Sequence, residues 1–239
     1  MTHTPPMTEA PGTSTVPLLR IAACASVAGV VAVSVVFALL GDVPRGEPAA
    51  VLDHVNDRPW VWMRLSGIMG MLAWVVAFAA LARSMRGERA RAVAGLAQSL
   101  LVVAVAVFAV DYAVDGVGVA QVANAWADGT APRDELLQQT QTLELVAGGL
   151  SILSQALLGL ALLVHALAQL NTDEFPKPLT WIGIVGCAGW FLGGSLRFAG
   201  VPGVSFELFV PFTMVAMVWV VGVGVVAWRR GSALARAAS

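Results

Sequence analysis

Six apolar runs, each about the length of a membrane crossing, leave this chain few choices of fold. They cover about residues 21–40, 60–81, 92–114, 142–165, 179–197 and 207–228. A hydrocarbon core about 30 Å thick needs about twenty residues of helix to cross it. In lipid every backbone N–H and C=O must find its partner inside the protein, which a helix achieves within its own segment. Only 12% of the residues are charged, against about 25% in a soluble domain. The sequence therefore predicts an all-α polytopic bundle of six transmembrane helices in the cell membrane.

The segments between the runs organise that bundle. Residues 1–17, rich in Thr and Pro, read as a disordered tail, residues 18–229 as the transmembrane domain, and residues 230–239 as a second tail. The first run is longer than the apolar region of a secretory signal and is read as a retained helix. In the loop 41–59, Pro48 opens a short helix through Val55 with Ala49, Leu52 and Val55 on one side, suited to lying on the membrane surface. The third run continues as helix to about Trp126, and Pro132, Asp134 and Glu135 suit the first turn of the helix that carries the fourth. Nine basic residues, Arg83, Arg86, Arg89 and Arg91 among them, fall on the side of the termini, and five (Arg45, Arg58, Arg64, Arg133 and Arg197) on the other. Basic loops stay in the cytoplasm, so both termini are expected there. Basic residues that are almost all Arg, in a chain rich in Ala, Val and Gly, suggest a bacterial source.

Charged side chains recur at one depth. Arg64 lies 19 residues from Arg83, Asp111 20 from Arg91, Glu144 21 from His165, Arg197 20 from Lys177, and Glu207 22 from Arg229. At about 1.5 Å per residue these distances place all five roughly 30 Å above the inner anchors. Asp115 follows Asp111 by one helical turn on the same side, and a stripe of Ala97, Ala104, Asp111, Asp115 and Gly118 leads to Gln121. The next helix carries its own stripe, Gln141, Glu144, Gly148, Ser151, Gln155 and Gly159. Polar stripes in lipid belong against other helices or a wet cavity. Small-residue faces, Ser66, Gly70, Ala73 and Ala77 on the second span and Gly186, Gly189 and Gly193 on the fifth, suit close helix packing. Three readings of the charges stay open. They mark the interface, with Trp60, Trp62, Trp126 and Trp181 as belt residues; they form an ion-pair network; or they line an outward-facing pocket.

Several chemistries lack their residues. Net charge is −1, without a basic block beyond one short loop, and nucleic acid is not expected as a partner. Cys24 and Cys187 sit inside apolar runs with no zinc or disulfide spacing. The three histidines, His3, His54 and His165, fall in the tail, the outer loop and a helix end, far from Ser151, so no hydrolytic triad forms. The Asp111/Asp115 spacing is a fragment of the aspartate motifs of membrane prenyl and CDP-alcohol transferases, which need further aspartates that this chain lacks. No catalytic residue, metal or cofactor is assigned.

Asn56, Asp57, Arg58, Pro59 and Trp60 close the first outer loop. An Arg-rich second loop follows the second span, and residues 175–183, from Phe175 through Pro176, Lys177 and Pro178 to Gly183, lead into a Gly-rich helix. On these signatures the chain, over roughly residues 18–228, resembles a bacterial family of six-helix integral membrane proteins of unknown function. The resemblance implies the fold and no activity. The functional expectation is a non-enzymatic membrane protein with an outward-facing polar pocket, serving a structural or small-ligand-binding role through Asp111, Asp115, Glu144, Arg64, Arg197, Glu207, Ser151 and Gln155. Its partners would be the lipid bilayer and a small ligand or ion. The alternatives are a small transporter or channel using the outer carboxylates, and a membrane enzyme acting on a lipid-linked substrate.

Overall fold

The structure, a computed structural model, describes residues 15–41, 43–44 and 46–239. The expected tail to residue 14, and Arg45, lie outside them. Among the described residues every regular element is helical: α1 (Thr15–Leu40), α2 (Pro48–Asn56), α3 (Trp60–Ser84), α4 (Glu88–Ala113), α5 (Val119–Asp128), α6 (Arg133–Leu170), α7 (Lys177–Phe198) and α8 (Phe206–Ala237). A π-helical turn, Val114–Gly118, joins α4 to α5 without a break. Six helices are long and apolar enough to span a membrane: α1, α3, α4 with α5, α6, α7 and α8. They pack as a closed ring in which α1 borders α3, α3 borders α4, α4 borders α6, α6 borders α7, α7 borders α8, and α8 returns to α1.

Each helix turns one face to its neighbours and leaves another bare. Val27, Val31, Val35 and Leu39 of α1 and Val218 and Val225 of α8 are exposed. In water such apolar surface would be costly; against lipid tails it is the expected solvent-facing side. The interior is filled by Trp74 and Phe78 of α3, Leu101 of α4, Leu158, Leu162 and His165 of α6, and Trp219 of α8, all fully buried. Glycine sets how closely the helices approach. A Cβ on Gly29 would lie 2.7 Å from the Gly70 carbonyl oxygen, and one on Gly194 2.8 Å from the Ala156 nitrogen. These contacts fix the α1–α3 and α6–α7 crossings.

The ring has two unlike ends. At the basic end, the 85–87 connection and the end of α8 meet the 171–176 connection through Glu174, and Gly231 of α8 packs on Leu19 of α1. At the other, α2, α5 and the first turns of α6 build a cap with its own core of Val51, Leu52, Val55, Val119, Val122 and Leu136. Gly129, at φ 62°, ends α5 in the left-handed region that glycine adopts without strain. Trp126 donates its indole N–H to Asp53 (2.9 Å) and His54 meets the Leu40 carbonyl (3.0 Å), which binds α2 to α5 and to the end of α1.

Several sequence expectations change here. Helix α2 buries Val51, Leu52 and Val55 against α5, α6 and Trp60, with Val51 in place of Ala49 on the buried face. Helix α8 runs on through the expected tail to Ala237, because Gly231 has α1 to pack on. His165 is not a helix end: α6 continues to Leu170 and the imidazole is fully buried, its ring centroid 4.6 Å from that of Phe78. The packing stripe of α3 is Gly67, Gly70, Met71 and Trp74, while Ser66 is exposed and bonds back to the Trp62 carbonyl. Trp62 and Trp181 are exposed as belt residues should be, whereas Trp60 is buried.

Candidate functional site

The π-turn decides what the cap end of the bundle holds. A plain α-helix would continue the inward face of α4 from Asp111 through Asp115 and Gly118. The turn inserts one extra residue, which rotates everything beyond it. The buried positions are therefore Gly116 within the turn and Val119, Val122 and Ala123 past it, while Gly118 is half-buried and Gln121 faces out. The expected stripe is shifted by one residue for this reason.

The rotation brings the turn onto α3. Asp115 forms an ion pair with Arg64, whose side chain is 10% exposed. The Asp115 carbonyl accepts the indole N–H of Trp60 at 2.8 Å. Trp60 and Arg64 stand one turn apart on α3, and the guanidinium carbon lies 4.2 Å from the Trp60 ring centroid and 4.9 Å from that of Tyr112. An arginine between two aromatic faces gains cation–π attraction of about 1–2 kcal/mol per ring when water is excluded. Two glycines make room: a Cβ on Gly116 would come 2.9 Å from Arg64 Cβ, and one on Gly67 3.1 Å from Tyr112 Cδ2. Asp111 is buried one turn before Asp115, near enough to Tyr112 to act on it electrostatically, as Arg64 and Asp115 do. Arg64, Asp111 and Asp115 thus converge.

The other expected residues sit on α6, α7 and α8. Glu144 is half-buried on α6, Arg197 half-buried at the end of α7, and Glu207 exposed at the start of α8. Ser151 is half-buried and its carbonyl accepts the Ser154 hydroxyl (2.8 Å). Gln155 accepts the Trp190 indole N–H at 2.8 Å, so its amide ties α6 to α7. Beyond Gln155 the α6 stripe closes at Gly159, where a Cβ would lie 2.7 Å from Phe191 Cα.

Beside Trp60 the cap leaves a groove of about 250 Å³, lined among others by Asn56, Arg58, Ala120, Ala123 and Asn124. Trp60, which covers Arg64, is thus also part of the groove wall. A larger depression follows one face of α6 alone, along Glu135, Gln139 and Thr142. Among the described residues no group of three His, Cys, Asp or Glu side chains is arranged to hold a metal ion.

Three features escaped the sequence. Trp60 and Tyr112 are aromatic partners of Arg64; the i, i+4 spacing of Trp60 and Arg64 was the available signal. Glu174, in the α6–α7 connection, is a half-buried hub at the basic end, accepting the Arg86 N–H at 3.2 Å and pairing with Arg230. Gln169 joins His165 in the interior and accepts the Trp219 indole N–H at 3.3 Å. The chain matches no protein-family model, no curated protein and no solved structure.

Proposed function

We propose that this is a non-enzymatic protein of the cell membrane, with both termini in the cytoplasm and the cap outside, that binds a small polar ligand or ion at its outward end. The observation that carries the reading is the π-turn. It forgoes regular helical hydrogen bonding to set Asp115 on Arg64 and against Trp60, and Trp60 is part of the wall of an open groove. Such turns inside α-helices occur frequently at functional sites. Trp60 joins the ion pair to the groove, and Asn56, Arg58 and Asn124 supply polar groups along its lining. The excess of basic residues at the end bearing the termini supports the orientation. A transport reading has less support, because the interior below the site is filled by Trp74, Phe78, Leu158, Leu162 and Trp219.

Native mass spectrometry of protein purified from its membrane tests the binding role. Wild type carries a small-molecule adduct, and Asn124→Trp, which fills the groove from an exposed position, loses it while keeping its Tm. An adduct unchanged in Asn124→Trp, or none in wild type, leaves Arg64–Asp115 as a structural tie only. A cysteine at Thr130, labelled from outside by an impermeant maleimide after Cys24 and Cys187 are replaced, checks the orientation; labelling only after the membrane is opened reverses it.

A further inference from the structure

The end of the bundle opposite the cap gathers charge of one sign. Nine of the fourteen Lys and Arg residues lie there, and of the described acidic residues only Glu88, Asp173 and Glu174 join them. Asp173 is engaged with Lys177 at 3.5 Å. Glu174, only 9% exposed, faces two guanidiniums: it pairs with Arg230, and Arg86 Nε lies 3.7 Å from the same oxygen. One carboxylate cannot neutralise both. The Arg230 guanidinium rests 5.5 Å from the Phe175 ring centroid, and its buried Nη1 has no hydrogen-bond partner among the described residues. The Arg86 side chain is 79% exposed. It stands beside the start of α4, where Gly87 offers no side chain to the first N–H groups of the helix. A helix start of this kind adds partial positive charge at the same spot.

The depth of the cluster identifies its partner. Trp181 and Trp228, both exposed on the outside of the ring, mark the headgroup level near this end. Arg229 and Arg230 follow Trp228 directly in sequence. An anion at that depth, on the outer surface of a bundle standing in lipid, belongs to a lipid headgroup. Basic pockets at the ends of membrane helices recognise such headgroups.

We propose that the Arg86–Glu174–Arg230 cluster seats the headgroup phosphate of an anionic phospholipid, with Arg86 as the exposed contact and Arg230 behind it. Arg83 and Arg229, both exposed, widen the positive field around the seat. The uncompensated charge selects an anionic headgroup over a zwitterionic one. Nothing in this proposal depends on a ligand at the cap end.

Purified full-length protein in neutral detergent is titrated with phosphatidylglycerol, phosphatidylcholine or inorganic phosphate, reading Tm and the lipid-bound states by native mass spectrometry. Phosphatidylglycerol raises Tm and stays bound where phosphatidylcholine does not, and the preference weakens in high salt. Arg86→Gln lowers its apparent affinity about fivefold (about 1 kcal/mol). Arg86→Lys keeps most of it, and Arg83→Gln, outside the Glu174 cluster, loses less than Arg86→Gln. Equal response to both lipids overturns the proposal, as does an affinity unchanged in Arg86→Gln. Equal losses in Arg83→Gln and Arg86→Gln overturn the seat in favour of a diffuse field. A matching Tm gain with inorganic phosphate overturns the lipid assignment. Should Arg86→Gln lower Tm without lipid, the bound-lipid count decides between the same outcomes.

Discussion

Removing the charges of Arg64 and Asp115 singly and together measures how tightly α3 and the π-turn are joined. The pair is largely withdrawn from solvent, with side chains 10% and 23% exposed. Taking one partner from a buried pair costs about 3–5 kcal/mol, since the other charge stays buried alone. The partial exposure of Asp115 puts its loss at the low end, so Asp115→Asn is expected to cost about 2–3 kcal/mol. Arg64→Gln also gives up its attraction to the Trp60 and Tyr112 rings, which raises its cost to about 3–4 kcal/mol. The double variant strands neither member of the pair and should cost about 4 kcal/mol, leaving a coupling of about 2 kcal/mol. Reversible unfolding in mixed micelles, followed by tryptophan fluorescence, gives the four stabilities of the cycle. Single losses that add to within about 0.5 kcal/mol would refute the reasoning, because the two residues would then not act on each other.

Other substitutions probe the packing around this pair and the two buried polar groups found elsewhere. Gly67→Ala drives a methyl into the Tyr112 ring, which is held 4.0 Å from the Phe108 ring and cannot withdraw; a loss of about 1–3 kcal/mol is expected in the same unfolding assay. His165 has two buried ring nitrogens with no partner among the described residues, so His165→Phe should be neutral or stabilising in Tm. His165→Ala, which leaves a cavity, should cost about 2–4 kcal/mol. Glu174→Gln leaves Arg86 and Arg230 facing each other without a counter-charge and should lower stability by about 2–4 kcal/mol; an unchanged Tm would show that the basic end is held by apolar contacts alone.

The spans were legible because length and hydropathy in lipid admit little besides a helix. The convergence of Arg64, Asp111 and Asp115 was legible in part, since charges at one depth on neighbouring helices have a common height. Height alone does not say which helices are neighbours. The closed ring makes α3 and α4 adjacent and leaves Arg197 and Glu207 on the α7–α8 side. The π-turn left no clear trace: Val114 to Gly118 reads as ordinary helix, and the extra residue shows only when α5 has α2 and α6 to pack on. His165 was misplaced for a related reason. Its position near the end of an apolar run suggested the interface, but α6 extends another turn, and Phe78, itself stacked on Trp219, covers the ring. Glu174 left no signal in the sequence because its two arginines come from distant parts of the chain.

The contact between α3 and the turn can be trapped directly. In protein with Cys24 and Cys187 replaced, the pair Arg64→Cys and Gly116→Cys would bring together Cβ positions now 2.9 Å apart, close enough that a small shift reaches the roughly 3.5–4.5 Å of a disulfide. The control pair joins Arg64→Cys with Val117→Cys, at an exposed position of the same turn. Mild oxidation in intact membranes, followed by mass-spectrometric counting of free thiols, should consume the first pair rapidly and spare the second. Free thiols persisting at 64 and 116, or equal oxidation of both pairs, would mean that the helix runs on without the turn and that Asp115 does not meet Arg64.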